Sequence, residues 1–389
     1  MARARRGSAV KSKLGFLIYG DKGTWKSSLA LEFAKFKKED GKPFKVLYID
    51  AESGSIDDYL EVYANEGIDL GNVYIVYTQS LGEVREYINK VTNNEDLYEL
   101  DDDGNKTEQV VLDAEGQPFR ADAIVVDGAS VIYTATQQGL VEFSKKRATV
   151  RAKKKELIGD ERIVTIEGAG MELKDWQTLQ FKGQDLILDL LASGKHWAVT
   201  ARETDEKVSV KDSDNKISSV ATGKKIPEGF KKMDYNAKTV LHTFIDENDG
   251  IVKAEIENKD RTLVHMQNEI LIEPTLLDWQ VIIDKNKDKK DFVIANNLKK
   301  SVETESEIYE KEIEESANKA ISNNTNEPES LDDYYDKIQN IITNLPEVKK
   351  KTVQTQIRKM GLPMNFKGLK DVDKLKKYLE IVEQWTTPD

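Results

Sequence analysis

Residues Leu14–Phe33 read LGFLIYGDKGTWKSSLALEF. An apolar run, Leu14 to Tyr19, meets Gly20-Asp21-Lys22-Gly23-Thr24-Trp25-Lys26-Ser27. Ser28 then leads a segment with apolar residues at Leu29, Leu31 and Phe33. This is the strand, loop and helix of a phosphate-binding loop, G-x-x-x-x-G-K-[ST], with Trp25 standing where the second glycine belongs. In such a loop backbone N–H groups and a helix N-terminus cradle phosphate oxygens. Lys26 is expected to reach the β- and γ-phosphates and Ser27 to ligate magnesium, so ATP and Mg2+ are the expected cofactors, the motif not choosing ATP over GTP. A chance glycine-rich turn is the bland alternative, and the strand and amphipathic helix on either side argue against it. Glycine at position 25 would give backbone freedom near phosphate. Trp25 is therefore expected to hold an ordinary L-residue conformation, its ring turned away from the phosphates and packed on a neighbouring surface.

Composition removes several other chemistries. The 389 residues contain no cysteine, which excludes disulfides, thiolate metal sites and a cysteine nucleophile. The three histidines show no ligand spacing. No apolar run approaches the ~20 residues of a membrane span, and the basic opening MARARRGS has no apolar core behind it. A cytoplasmic protein with no membrane partner is expected. The net charge of −12 is unevenly placed. Lys145–Lys155 carries seven basic residues and no acid, whereas 303–333 is strongly acidic. Local patches, not net charge, decide where a polyanion docks.

Short β-branched runs alternate with helical patterns over the first three hundred residues. Strands are expected at Gly15–Tyr19, Val46–Asp50, Val73–Tyr77, Ala123–Asp127 and His196–Ala201, and helices at Ser27–Lys37, Ile56–Glu66, Leu81–Val91 and Leu173–Leu191. That alternation predicts an α/β fold with a mostly parallel central sheet. Residues 92–120, with turn signals at Asp103-Gly104 and Glu115-Gly116, read as a polar β-hairpin insertion away from the core. Glu203–Tyr235 reads as a long polar loop, functional or disordered. Thr239–Ile245 and Val252–Ile256 read as an antiparallel edge addition. Residues 301–329 have the composition of an acidic linker. Residues 330–389 then read as a small C-terminal domain of three helices, Ser330 capping the first, Pro346 ending it and Gly361 stopping the second. The expected division is thus a core over 1–300, a linker over 301–329 and a helical domain over 330–389.

Two further strand ends carry acids. Ala123-Ile124-Val125-Val126-Asp127-Gly128 has the form of a Walker B strand, in which Asp127 would hold magnesium through water. Val46-Leu47-Tyr48-Ile49-Asp50-Ala51-Glu52 ends another strand, and Glu52 is either a water-orienting base or an exposed loop acid.

The order of phosphate loop, IDAES, GIDLGNVYIVYTQSLGEV and DAIVVDGAS resembles the RecA-type recombinase core. The resemblance implies a RecA-like P-loop ATPase over about residues 12–270. It implies Glu52 as catalytic base and Tyr59 as the tyrosine that stacks on adenine, helix-face packing being the other reading of Tyr59. His196–Arg202 is similar to the strand that ends in a γ-phosphate sensor. Thr200 or Arg202 falls there, without the family's usual glutamine. The loops after that strand and before the preceding helix bind single-stranded DNA in the family, here Glu203–Tyr235 and Gly159–Lys174. VKAEIENKDR over Val252–Arg261 is similar to the segment that sends lysines into a neighbouring subunit's ATP site. Lys259, with Arg261 as a second candidate, is then a trans-acting catalytic residue, against the alternative of a solvated charge run. TARETDE and GKKIPEGFKKMDYNAKTVL, with the acidic hairpin, make the chain similar to phage-type nucleotide-binding proteins, some of them annealing or recombination proteins.

The basic run from Lys145 to Lys155 is either a phosphate-contacting stripe or a solvated helix answering acids elsewhere. Trp176 and Phe181 either stack on bases or belong to the core. The expectation is an ATP-dependent single-stranded-DNA-binding protein of phage-type recombination, annealing or replication in a bacterial host cell. It would form a homo-oligomer with ATP at subunit interfaces, and the C-terminal helices would be free to take a protein partner. A helicase or loader motor, and a nucleotide-binding scaffold with little hydrolysis, are the alternatives.

Overall fold

The computed structural model describes residues 10–101, 103–211, 217–286, 289, 301–313 and 330–385, and within them the side chains of Asn258 and Lys259 are not described. Apolar runs too short and too β-branched for helices build the centre. β1 (Gly15–Gly20), β2 (Val46–Asp50), β3 (Val73–Tyr77), β6 (Ala123–Asp127), β7 (His196–Lys211) and β9 (Thr239–Ile245) are mutually parallel. β10 (Val252–Asp260) and β11 (Ile270–Ile272) close one edge antiparallel. The order is β11-β10-β9-β1-β7-β6-β2-β3, with β8 (Ile217–Pro227) paired to the outer half of β7. The phosphate-loop strand β1 therefore lies one strand away from β6, with β7 between them.

Side chains of β1 alternate between two cores, as period-two geometry requires. Phe16 and Ile18 join Phe33, Phe36, Phe44 and Trp279 on one face of the sheet. Leu17 and Tyr19 join the other face, under α3 (Leu81–Asn93), α4 (Ala129–Lys154) and α6 (Leu173–Ala192). Coverage on both faces explains why the parallel strands read as continuous apolar runs. The expected α/β class with a mostly parallel sheet and a helical C-terminal region is what the structure has. No helix among the described residues is long and apolar enough to cross a membrane.

Five expectations need correction. The helix expected over Ser27–Lys37 is α1 (Lys26–Leu31) followed by a 3-10 turn, Glu32–Lys35, which seats Phe33 and Phe36 on the sheet. The 92–120 insertion does form a hairpin, β4 (Tyr98–Leu100) with β5 (Lys106–Val110), but it is not away from the core: Leu97, Val111 and Phe119 are buried in it. Thr239–Ile245 pairs antiparallel with Val252–Ile256 as expected, but it is not at the edge: β9 lies parallel beside β1, reached through the short helix α7 (Met233–Asn236). Glu203–Tyr235 is not a loop throughout. β7 runs on past the sheet and pairs with β8 as a two-stranded arm, Val208 opposite Val220 and Ser209 opposite Ser219. The expected DNA loop Gly159–Lys174 contains α5 (Gly159–Glu167), none of whose residues is buried.

α2 (Asp57–Asn65) follows β2, and α8 (Gln280–Asp284) ends the described part of the first unit. The chain divides into two compact units, Met1–Leu298 and Lys299–Asp389. In the second, residues 301–313 form an exposed helix, α9. α10 (Leu331–Asn344), α11 (Glu347–Lys359) and α12 (Val372–Glu383) enclose a separate core around Ile338, Val353, Leu375 and Val382. Ser330 and Asp333 cap α10 reciprocally, each side chain bonding the other's backbone N–H.

Candidate nucleotide site

The carboxyl ends of β1, β6, β2 and β7 bring the sequence-derived residues together. Gly20 ends β1 because nothing larger fits: a Cβ there would lie 2.0 Å from the carbonyl oxygen of Thr243. Thr24 pins the loop, donating to the Asp21 carbonyl at 2.7 Å and sharing a hydrogen bond with Thr243 at 2.8 Å. Asp21 and Lys22 are exposed, Lys22 N–H donating to the Asp21 side chain, and Gly23 has φ 74°. Lys26 Nζ folds back to the Asp21 carbonyl at 2.6 Å. Burial lowers the Lys26 pKa against the pull of Glu52, Asp127 and Asp21. Ser28 Oγ donates to the Trp25 carbonyl.

Trp25 departs from its expected backbone. It adopts φ 64°, ψ 17°, the left-handed region, as the residue preceding α1. The geometry of the loop, not the residue, sets that conformation, at a cost of about 1–2 kcal/mol for a bulky L-residue. The ring is 42% exposed.

Asp127 is buried and accepts four side-chain hydroxyls: Ser27 at 3.1 Å, Tyr48 at 2.8 Å, Ser55 at 2.5 Å, and Thr200. Burial and the Asp127 charge push the Tyr48 hydroxyl well above its usual range, so it stays a donor. Sequence reasoning missed Tyr48 and Ser55, whose only signal was polar character at the end of the strand that carries Glu52. Thr200 also accepts from Gly128 N–H at 2.8 Å and is buried, which removes it as a candidate γ-phosphate sensor.

Glu52 stands beside Gly128, where a Cβ would lie 2.7 Å from its Cγ. Its carboxylate accepts from Arg202 Nη2 at 3.1 Å and from Nε at 3.3 Å. Asp50 builds the loop that presents Glu52, accepting from the backbone N–H groups of Glu52, Ser53, Gly54 and Ser55 at 2.7–3.1 Å. Ser130 Oγ accepts from Arg202 N–H at 2.9 Å and donates to the Glu228 carbonyl at 2.8 Å. One hydroxyl at the start of α4 thus grips both strands at the root of the arm.

Tyr59 lies on α2 and shares a cavity wall with Trp25. Lys259 lies on β10, and its side chain is outside the described residues. The oxygen donors Ser27 and Asp127 suit a hard divalent cation. Among the described residues no cluster of three or more acids or histidines holds a metal alone. A magnesium ion at Ser27 and Asp127 would have to complete its shell with phosphate and water.

No family model matches the chain, and no curated protein matches it. The solved structures it is similar to include two at 14% identity. One is a KaiC-like protein from the hyperthermophilic archaeon Pyrococcus horikoshii OT3, at 14% identity and TM-score 0.35, covering 67% of this chain and 88% of that one. The other is the RadB recombinase, at 14% identity and TM-score 0.36, covering 66% and 84%.

The basic run lies on the C-terminal half of α4. Three of its seven cations answer acids: Arg147 pairs with Asp175, Arg151 with Glu172, and Lys145 with Glu167 at 2.9 Å. Lys146, Lys153, Lys154 and Lys155 are exposed. Trp176 and Phe181 are not core: they are 40% and 63% exposed, as is Phe143 at 53%, with the Arg147 guanidinium over its ring.

Proposed function

We propose that this chain is an ATP-dependent, single-stranded-DNA-binding ATPase of the RecA type. The observation that supports it most is the convergence of Lys26, Ser27, Asp127, Glu52 and Arg202 at the ends of four neighbouring parallel strands. In this reading Lys26 and the loop N–H groups hold the triphosphate. Ser27, and Asp127 through water, would hold magnesium, which would supply charge neutralisation at the phosphates. Glu52 orients water and takes its proton as it attacks the γ-phosphate. Arg202 leaves Glu52 for the γ-phosphate when nucleotide is present, freeing the base. Lys259 acts on a neighbouring subunit's site, and ATP lies between copies of the chain.

Two features favour DNA as the second ligand. The strand that carries Arg202 continues as the arm; α4 and its C-terminal end expose Lys146, Lys153, Lys154 and Lys155, and α4 and α6 expose Phe143, Trp176 and Phe181. Cations that track phosphates, with aromatic rings for bases, form a single-strand surface. Filter binding of labelled single strands with and without ATP tests this; no retention in either state at low salt contradicts it. Replacing Lys153, Lys154 and Lys155 by Ala should flatten the salt dependence by a slope of about 2, roughly 0.7 per lost phosphate contact. One observation favours weak turnover: Trp25 holds a strained conformation in the phosphate loop itself.

A further inference from the structure

We propose that Trp25 is a base-contacting residue, forming with Tyr59 the aromatic walls of a nucleobase cleft beside the phosphate loop. The inference rests on the nucleotide-site reading above and adds the residue that selects a base over a bare polyphosphate.

Trp25 and Tyr59 line one cavity of about 410 Å3 with Leu29, Glu32, Tyr63 and Pro274. That volume lies in the range of small-molecule sites, roughly 300–1,000 Å3. The cavity's position fits a nucleoside. Its floor is one face of α1 and the following turn, beginning at the residue before Lys26 and continuing through Leu29 to Glu32. A ligand whose phosphates lie at Lys26 and Ser27 would extend its base along that face. The far wall is a short loop, Glu273–Thr275, held against α1 by Glu32. Its carboxylate accepts from Thr275 Oγ1 at 2.9 Å and from Leu276 N–H at 2.6 Å. Tyr63 is fixed to the same floor, its hydroxyl reaching the Ser28 carbonyl at 3.5 Å.

The backbone adds a second line of argument. Position 25 is left-handed, where glycine sits without strain and a bulky residue does not. Strained residues of this kind gather at ligand clamps. A side chain kept at such a position, half exposed, in a cavity with two tyrosines, is accounted for by a planar ligand that stacks on it. The loop gives the phosphates their N–H groups through the backbone, so the indole is free to serve the base.

The test is the affinity of the full chain, with magnesium, for ATP and for inorganic tripolyphosphate, by calorimetry. Wild type, Trp25→Gly, Trp25→Phe and Tyr59→Ala are compared. Trp25→Gly should weaken ATP about tenfold, in keeping with one lost aromatic stack, while tripolyphosphate binds as tightly or more tightly. Trp25→Phe should restore most of the ATP affinity, and Tyr59→Ala should resemble Trp25→Gly. In turnover the Trp25→Gly defect should appear as a raised KM for ATP. An unchanged ratio of ATP to tripolyphosphate affinity in Trp25→Gly overturns the cleft and leaves the nucleotide site standing. Wild type binding neither ligand overturns both.

Discussion

Asp50 and Asp127 end adjacent parallel strands at the same register, yet their surroundings differ in kind. Asp50 accepts four backbone N–H groups, donors fixed by the path of the chain. Asp127 accepts four hydroxyls, donors that rotate about a side-chain bond or can turn toward another ligand. The first carboxylate is part of the loop's architecture. The second could exchange a hydroxyl for water while its strand stays in place. Charge at a strand end thus marks function only where its partners can move.

Substitution should break the two sites differently. Asp127→Asn should lower magnesium-dependent ATP hydrolysis by roughly 10^3, the several kcal/mol a positioned metal supplies, with a smaller loss of stability than Asp50→Asn, since hydroxyl donors can turn to the amide oxygen that remains. Equal loss of stability would contradict the distinction. Asp50→Asn should cost roughly 2–4 kcal/mol in urea unfolding, since backbone donors lose a charged acceptor, and lower activity through the displaced Glu52 loop. Glu52→Gln should retain ATP binding and lose about 10^2 in hydrolysis; unimpaired turnover would remove Glu52 as the base.

Smaller effects sharpen the contrast between fixed and movable partners. Ser130→Ala removes the hydroxyl that joins Arg202 to Glu228, at about 1–2 kcal/mol for a buried hydrogen-bonding pair. Basal hydrolysis should persist while stimulation by single-stranded DNA falls several-fold; undiminished stimulation would show that this hydroxyl does not couple the arm to the site. The smallest effect is in pH. His196 is buried, and burial together with the Lys13 and Lys238 charges holds its imidazole well below the usual range. Unfolded histidine titrates near 6.5, so below that pH the unfolded chain takes a proton that the folded chain refuses. This stability is present above about pH 6.5 and is lost as pH falls toward the depressed value, at no more than about 1.4 kcal/mol per pH unit. His196→Gln should remove that share of the slope between pH 5 and 7; identical slopes would place the proton elsewhere.

The parallel strands were legible because burial on both faces leaves an apolar run that no loop would carry, as in Val46–Asp50 and Ala123–Asp127. The arm was not legible as one continuous element. Its strand residues Lys207, Val208, Ser209, Val210 and Lys211 do alternate, but their polarity reads as a loop once no core lies beneath them. In 92–120 the polar majority hid three anchors, Leu97, Val111 and Phe119, that carry the packing. Strand direction at Thr239–Ile245 could not be read, since parallel pairing there depends on a connection through α7 that sequence spacing does not reveal. At the site, the motif residues were legible one by one, but the partners of Asp127 were not. Tyr48 and Ser55 come from β2 and the loop after it and Thr200 from β7, and they meet at Asp127 only when the sheet is built. Trp25 was misjudged because its backbone follows the demands of the loop rather than its own preference.

The most direct test of the central claim is magnesium-dependent ATP turnover of the full chain, with and without single-stranded DNA, beside Lys26→Ala. The account gives wild-type turnover that is slow, that rises with DNA, and that Lys26→Ala abolishes. Wild type and Lys26→Ala turning over at the same rate, in both conditions, would contradict it.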